Sequence, residues 1–439
     1  MPDALNITAS SVDPQLLSLP WSTTLAEWPS SAIVYLPKGI SRHLVRFASL
    51  SGRVIAVKET TAEMARREYD MLGNLHRLDV PCVERVAVIA GRTDAAGRPL
   101  PAALVTAHLK FSLPYRALFT QILRPDTATR LVDALAALLV RLHNVGFFWG
   151  DVSLSNTLFR RDAGAFAAYL VDAETGELHE GGLSRGQREH DLEVARTNIA
   201  GEIMDLEAGG RLEGGVDAIA IADGIVSSYR SLWAALTESE SFGVDETWRI
   251  TERVQRLNEL GFDIDEMSID TTADGTRVSI QPKVVDAGHH QRRLLRLTGL
   301  DVEENQARRL LNDLDEFRAR VSRLGDDEEM IAHEWLTRVF EPVVKSIPWD
   351  LRAKLEPAEV YHQVLEHRWY MSQACGKSVP LAEALTGYID DVLRHRRDEA
   401  TLMGPPTDTV SLPVITTGSI PYADQADDLD DSIDWRDLV

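Results

Sequence analysis

Five side chains, taken in chain order, have the types and spacing that phosphoryl transfer requires: Lys58, Glu68, Asp151, Asn156 and Asp172. That reaction asks little covalent chemistry of a protein. It needs a cation on the nucleotide phosphates, oxygen ligands for Mg²⁺, and a carboxylate to orient the acceptor hydroxyl. Lys58 ends the apolar run Val54-Ile-Ala-Val57, so a strand end would deliver it to the phosphates. Glu68 lies one or two helical turns into the following segment, where it can pair with that lysine. Asp151 and Asn156 share the loop Trp149-Gly-Asp-Val-Ser-Leu-Ser-Asn156, in Asp-x-x-x-x-Asn spacing. There Asp151 would face the acceptor hydroxyl and Asn156 the metal. Asp172 ends Tyr169-Leu-Val-Asp172, a strand bringing a second carboxylate to the metal. Each residue alone has an ordinary reading, such as a strand-end lysine on a solvated edge or an aspartate in a turn. All of them in this order are much harder to explain that way.

The elements that must hold these residues are legible from pattern. Strand-like runs occur at Ala32-Ile-Val-Tyr-Leu, His43-Leu-Val-Arg-Phe and Val54-Ile-Ala-Val-Lys58, cut by Pro37-Lys-Gly39 and Ser51-Gly52. A helical segment over 61–77 follows, then strands over 83–90 and 102–107 separated by a loop over 91–97. The strongest helix spans 126–146, with Leu131, Leu135, Leu138, Leu139 and Leu142 at helical spacing and Gly146 as its stop. Further on, helices are expected over 247–260, 303–324 and 350–397. A strand pair (267–271 and 277–283) should turn through Ala273-Asp-Gly275.

The bulk figures narrow the setting. The chain has 439 residues, room for two to three domains, and a formal net charge of −22. So acidic a surface disfavours nucleic acid and anionic membranes as partners, with Arg292, Arg293 and Arg296 leaving the question open at one patch. Two cysteines, Cys82 and Cys375, exclude a disulfide framework and a cysteine-rich zinc site. No apolar run is long enough to span a membrane, and the first twenty residues lack a signal-peptide pattern, so the chain reads as cytoplasmic. His289-His290 beside Arg292 and Arg293 invites a metal or phosphate reading, but adjacent histidines diverge on most backbones and a surface or interdomain role is the simpler one.

The loop Asp151-Val-Ser153-x-x-Asn156 resembles that of RIO-type atypical kinases and is similar to aminoglycoside-phosphotransferase loops. Arg67-Glu68-Tyr-x-Met-Leu with Val80-Pro81 resembles the small lobe of the latter group, and Arg188-Glu-His-Asp191-Leu the RIO helix whose Asp braces the catalytic loop. The whole chain resembles a bacterial family in which a lipopolysaccharide-kinase-like half precedes a C-terminal domain of unknown function. The kinase resemblance covers roughly 30–205. It implies ATP and Mg²⁺ as cofactors, Asp151 as catalytic residue, Gly39, Lys58 and Glu68 on the nucleotide, and Asn156 and Asp172 on the metal. Three departures stand out. Trp149-Gly150 replaces the usual His before the catalytic Asp, Asp172-Ala-Glu174 replaces Asp-Phe-Gly, and Leu36-Pro-Lys38-Gly39-Ile-Ser41 offers one glycine for the phosphates, supplemented by Lys38 or Ser41. No Ala-Pro-Glu segment follows Asp172, which tilts the acceptor away from a generic peptide.

The expected fold is therefore α+β: a flexible lead (1–28), a kinase-like small lobe (29–110), a large-lobe core (111–205), a mainly α C-terminal domain (206–400) and a disordered acidic tail (401–439). The expected activity is transfer of the γ-phosphate of ATP to a hydroxyl on a sugar, lipid-linked saccharide, small molecule or protein. The alternative is a pseudokinase, a nucleotide-binding regulatory or scaffold module. The oligomeric state is left open.

Overall fold

A five-stranded antiparallel sheet opens the structure, a computed structural model that describes residues 5–34, 44–119, 125–210, 212, 216–238, 240–243, 246, 248–259, 262–271, 277–321, 327–396, 398 and 399. Its strands are β1 (Asn6–Ala9), β2 (Val45–Leu50), β3 (Arg53–Thr60), β4 (Arg85–Ala90) and β5 (Ala102–Ala107), in the order β1-β4-β5-β3-β2. β2 and β3 close through Ser51-Gly52, both at positive φ, the two-residue turn whose twist suits a hairpin. Helix α1 (Ala62–Arg77) packs on β4 and β5, its start capped by Thr61, whose hydroxyl accepts from the Met64 amide.

Two sequence expectations change here. The lead over 1–28 is not loosely structured among its described residues. β1 pairs with β4 along the sheet edge, while Leu16, Trp21, Leu25 and Trp28 bury themselves with Ile55, Val57 and Val105 in one apolar cluster. Arg92 fastens this segment, donating to the carbonyls of Trp21 and Thr23 and pairing with Glu59 at 2.9 Å. Two tryptophans and two leucines hold enough apolar surface to fold the segment back, without the periodicity that would have announced it. The strand expected from Ala32 is absent as far as the described residues reach: Ser30–Ala32 form a 3₁₀ turn and Val34 makes a single bridge to Phe47. Gly39, with Lys38 and Ser41, lies outside the described residues, as do the turn through Gly275 and the tail over 401–439.

The large lobe follows: β6 (Leu113–Pro114), α2 (Tyr115–Phe119), α3 (Pro125–Asn144), β7 (Phe147–Phe148), β8 (Thr157–Asp162), β9 (Ala165–Leu170), β10 (Glu177–Leu178) and α4 (Arg185–Ala208). The leucines of α3 are buried as their spacing predicts. The boundary expected at 205/206 does not separate two cores. Helix α5 (Ala218–Thr237) lays Ala222, Ile225, Tyr229 and Leu232 against α3 and α4, and the same apolar cluster runs on to Leu257 and Phe262.

Next come β11 (Glu240–Gly243), α6 (Trp248–Glu259) and the long antiparallel pair β12 (Phe262–Thr271) and β13 (Arg277–Ala287). A second apolar cluster gathers Leu294 to Leu393 from α7 (His289–Thr298), α8 (Glu304–Val321), α9 (Glu328–Trp335), α10 (Glu341–Lys345), α11 (Pro357–Cys375) and α12 (Leu381–Asp391). The single helix expected over 303–324 is α8. Glu304 accepts from the amides of His290 and Gln291 and lies 2.6 Å from His290 Nδ1, so the paired histidines open a capped helix. No helix among the described residues is long and apolar enough to cross a membrane.

Candidate active site

Strand β3, pinned between β2 and β5, aims Lys58 into the cleft between the lobes. Three carboxylates meet its ammonium there: Glu68 of α1, Asp172 and Glu174, each at 2.9 Å from Nζ. Burial disfavours the charge on Lys58, but Glu68, Asp172 and Glu174 outweigh it and hold its pKa above the ordinary lysine value. Among the described residues one cation thus faces three carboxyl groups. Burial, reinforced by Asp172, accordingly pushes the Glu68 carboxyl up to about 8 although Lys58 pulls the other way.

Across the cleft, the catalytic-loop residues are fixed one by one. Asn156 Nδ2 donates to the Asp151 carbonyl at 3.0 Å and to its Oδ2 at 3.2 Å, and Asn198 of α4 donates to Asp151 Oδ1 at 3.3 Å. With its amide nitrogen so used, Asn156 presents its carbonyl oxygen as the free ligand atom. Asp191, fully buried on α4, accepts from the backbone amides of Trp149 at 2.8 Å and Gly150 at 2.7 Å. Asp191 thus braces the loop, as the RIO resemblance implied. Gly150 sits at φ +76°, a conformation that favours glycine and lets the chain turn Asp151 outward.

The Trp149-Gly150 departure has a structural counterpart. The buried Trp149 indole donates to the Asp172 carbonyl at 3.0 Å, and Thr175 donates back to the Trp149 carbonyl at 2.8 Å. The catalytic loop and the carboxylate-bearing segment are tied to each other through that ring.

Sequence reasoning placed Lys58, Glu68, Asp151, Asn156 and Asp172, and the fold gathers the first two with Asp172 and ties Asp151 to Asn156. Glu174 was seen only as a departure from Asp-Phe-Gly. With Glu68 and Asp172 it forms a trio of carboxylate oxygens within 4.8 Å of one another. Oxygen donors of this kind suit a hard divalent cation, and Asp172 and Glu174 could hold Mg²⁺ there. Three supports were not read. Glu202 accepts from the amides of Leu154 at 2.7 Å and Ser155 at 3.0 Å, while Asn198 reaches Asp151 and the Val152 carbonyl. His143, buried at the end of α3, lies 2.7 Å from the Tyr229 hydroxyl and 3.2 Å from Asp191. Its bonds are satisfied with Nε2–H donating to Asp191 and the tyrosine donating to Nδ1, a tautomer assigned from the network. The only signal for the first two was their position on the helix after the loop.

Residues 53–200 match the model of the lipopolysaccharide kinase (Kdo/WaaP) family. The N-terminal half has a kinase-like fold. The match begins at β3 and ends within α4, so it contains Lys58, Glu68, Asp151, Asn156, Asp172, Glu174 and Asp191, while Glu202 and Tyr229 lie beyond it. Residues 231–393 match a domain of unknown function, DUF4032, giving the kinase-like domain a C-terminal partner within the chain. A solved structure described as WaaP in complex with acyl carrier protein is 16% identical, covering 52% of this chain and 90% of its own, at a TM-score of 0.33. No curated protein matches the chain. The kinase-like domain thus carries the site, and the family match implies a phosphotransferase.

Proposed function

We propose that this chain is an ATP- and Mg²⁺-dependent phosphotransferase that passes the γ-phosphate to a hydroxyl acceptor. The observation that carries this reading is the convergence of Lys58, Glu68, Asp172 and Glu174 at 2.9 Å contacts, facing a loop in which Asp151 is held by Asn156 and Asn198. Lys58 binds the nucleotide phosphates, and its pairing with Glu68 keeps the ammonium aimed into the cleft. Asp151, oriented by two side-chain amides, accepts the acceptor hydroxyl's hydrogen bond and sets its direction of attack. Asn156, Asp172 and Glu174 would hold Mg²⁺, which would offset the charge of the phosphates. Trp149 and Asp191 keep both loops in register for this.

Thermal-shift titrations with ATP, with and without Mg²⁺, test the binding half of the proposal. Radiolabelled ATP turnover with water or a panel of hydroxyl compounds tests the rest. The expected result is a Mg²⁺-dependent shift and turnover that Asp151→Ala abolishes while the shift remains. A shift without turnover on any acceptor, equal in wild type and Asp151→Ala, would favour a nucleotide-binding pseudokinase instead.

A further inference from the structure

We propose that the C-terminal helical domain is a positioning element for the metal end of the site, acting through the β8–β9 hairpin; this rests on reading Asn156 and Asp172 as ligands. The hairpin starts at the residue after Asn156 and ends two before Asp172, and the Val171 amide donates to the Asn156 carbonyl at 3.0 Å. Whatever fixes this hairpin fixes the distance between the two ligands.

The C-terminal domain grips it along its length. Near the site, the Tyr169 hydroxyl donates to Glu303 at 2.7 Å and Arg160 pairs with the same carboxylate at 2.8 Å. Tyr169 is three residues from Asp172, about 10 Å along a strand. Arg160 reaches a second acid, Glu356, at 2.6 Å. At the far end, Asp162 accepts from the Asn305 and Gln306 amides at 3.2 and 2.7 Å. These are free donors in the first turn of α8, so an aspartate of the kinase-like domain caps a helix of the other domain. The tip itself, Ala163-Gly164 with both residues at positive φ, gives its Ala163 amide to Glu359 at 3.0 Å.

These groups are buried, Asp162, Glu303, Gln306 and Glu359 each being 5% exposed or less. Burying so many charges contributes little net stability, because desolvation offsets most of the pairing. What such bonds supply is geometry: a hydrogen bond fails over a few tenths of an ångström, where an apolar contact slides. The apolar clusters of the two regions are separate, so directional bonds set the seating of the hairpin. Outer groups of this kind, orienting ligands they do not join, are the usual means of tuning a metal site.

The test uses the full chain with Glu303→Ala, Glu303→Gln and, should the first be poorly folded, Gln306→Ala. Two quantities are read: the Mg²⁺ concentration that gives half of the ATP-dependent thermal shift, and amide hydrogen exchange over 151–174. Glu303→Ala should raise the Mg²⁺ requirement about tenfold and speed exchange over 151–174, with Glu303→Gln recovering most of both. An unchanged Mg²⁺ requirement in Glu303→Ala and Gln306→Ala would overturn the proposal. If wild type itself shows no Mg²⁺-dependent shift, the phosphotransferase reading has failed, and exchange alone decides whether the C-terminal domain holds the hairpin: faster exchange supports it and unchanged exchange sinks it.

Discussion

The indole of Trp149 donates across 3.0 Å to the carbonyl of Asp172, so the residue that departs from the kinase pattern joins the two halves of the candidate site. Replacing it with phenylalanine keeps an apolar ring but deletes the donor. Trp149→Phe should lose roughly 1–3 kcal/mol of stability in urea unfolding, from an unpaired carbonyl and a small cavity. It should also raise the Mg²⁺ requirement of ATP binding. An unchanged requirement would mean that Asp172 is held well enough by its other contacts.

Asp191 has a sharper dependence. It accepts from two backbone amides and from His143, all in a buried setting. Asp191→Ala leaves those donors unpaired and should cost roughly 3 kcal/mol or more. Urea unfolding followed by far-ultraviolet circular dichroism measures this, with Glu189→Ala, a half-buried neighbour on the same helix whose ion pair with Arg230 has both side chains more than a third exposed, as the control expected to change little.

Among the described residues, Lys58 is the cation that pairs with Glu68, Asp172 and Glu174 together. Lys58→Ala should lower turnover by about 10²–10³-fold, the usual cost of deleting a group that stabilises developing charge. A divalent cation should then raise the melting temperature of Lys58→Ala more than that of wild type, because it supplies the missing positive charge. Differential scanning fluorimetry across a Mg²⁺ series checks the second outcome without needing an acceptor.

Asp162 gives a pH dependence. Burial, together with Glu303, pushes its carboxyl up to about 7 from 3.8, against the donors of Asn305 and Gln306. The folded chain therefore holds this proton more tightly than the unfolded chain. Between pH 3.8 and about 7 the folded state carries it and the unfolded state does not, so the contribution to stability is full below that window and declines as pH rises through it. Asp162→Asn should remove this part of the slope. Unfolding free energies at pH 5 and pH 7.5 should therefore differ more for wild type than for Asp162→Asn, by an amount on the order of a few kcal/mol.

Much of the site was legible because its residues are adjacent to recognisable local patterns. Lys58 ends an apolar run, Asp151 and Asn156 share one loop, and Asp172 closes a strand. The helices of the large lobe were equally plain, since the leucines of α3 repeat at helical spacing. What escaped detection depends on distance in sequence. Glu174 acquires meaning only when Lys58 arrives from 116 positions away. His143 needs Tyr229 and Asp191, and the grip on Asp162 needs residues 305 and 306. The lead was misread for a related reason: aperiodic tryptophans reveal nothing until a sheet face exists to receive them.

That sheet face bears on how the molecule can be cut. A fragment limited to residues 53–200, the span of the kinase family match, would lack β1, β2, Leu16, Trp21, Leu25 and Trp28. It would present Ile55, Val57 and Val105 to water and leave β3 and β4 as raw edges, inviting intermolecular pairing. It would also strand Asp162 without the helix it caps. The smallest autonomous unit of this protein is therefore larger than its recognisable motif, and biochemistry on the excised segment would be measuring an aggregate.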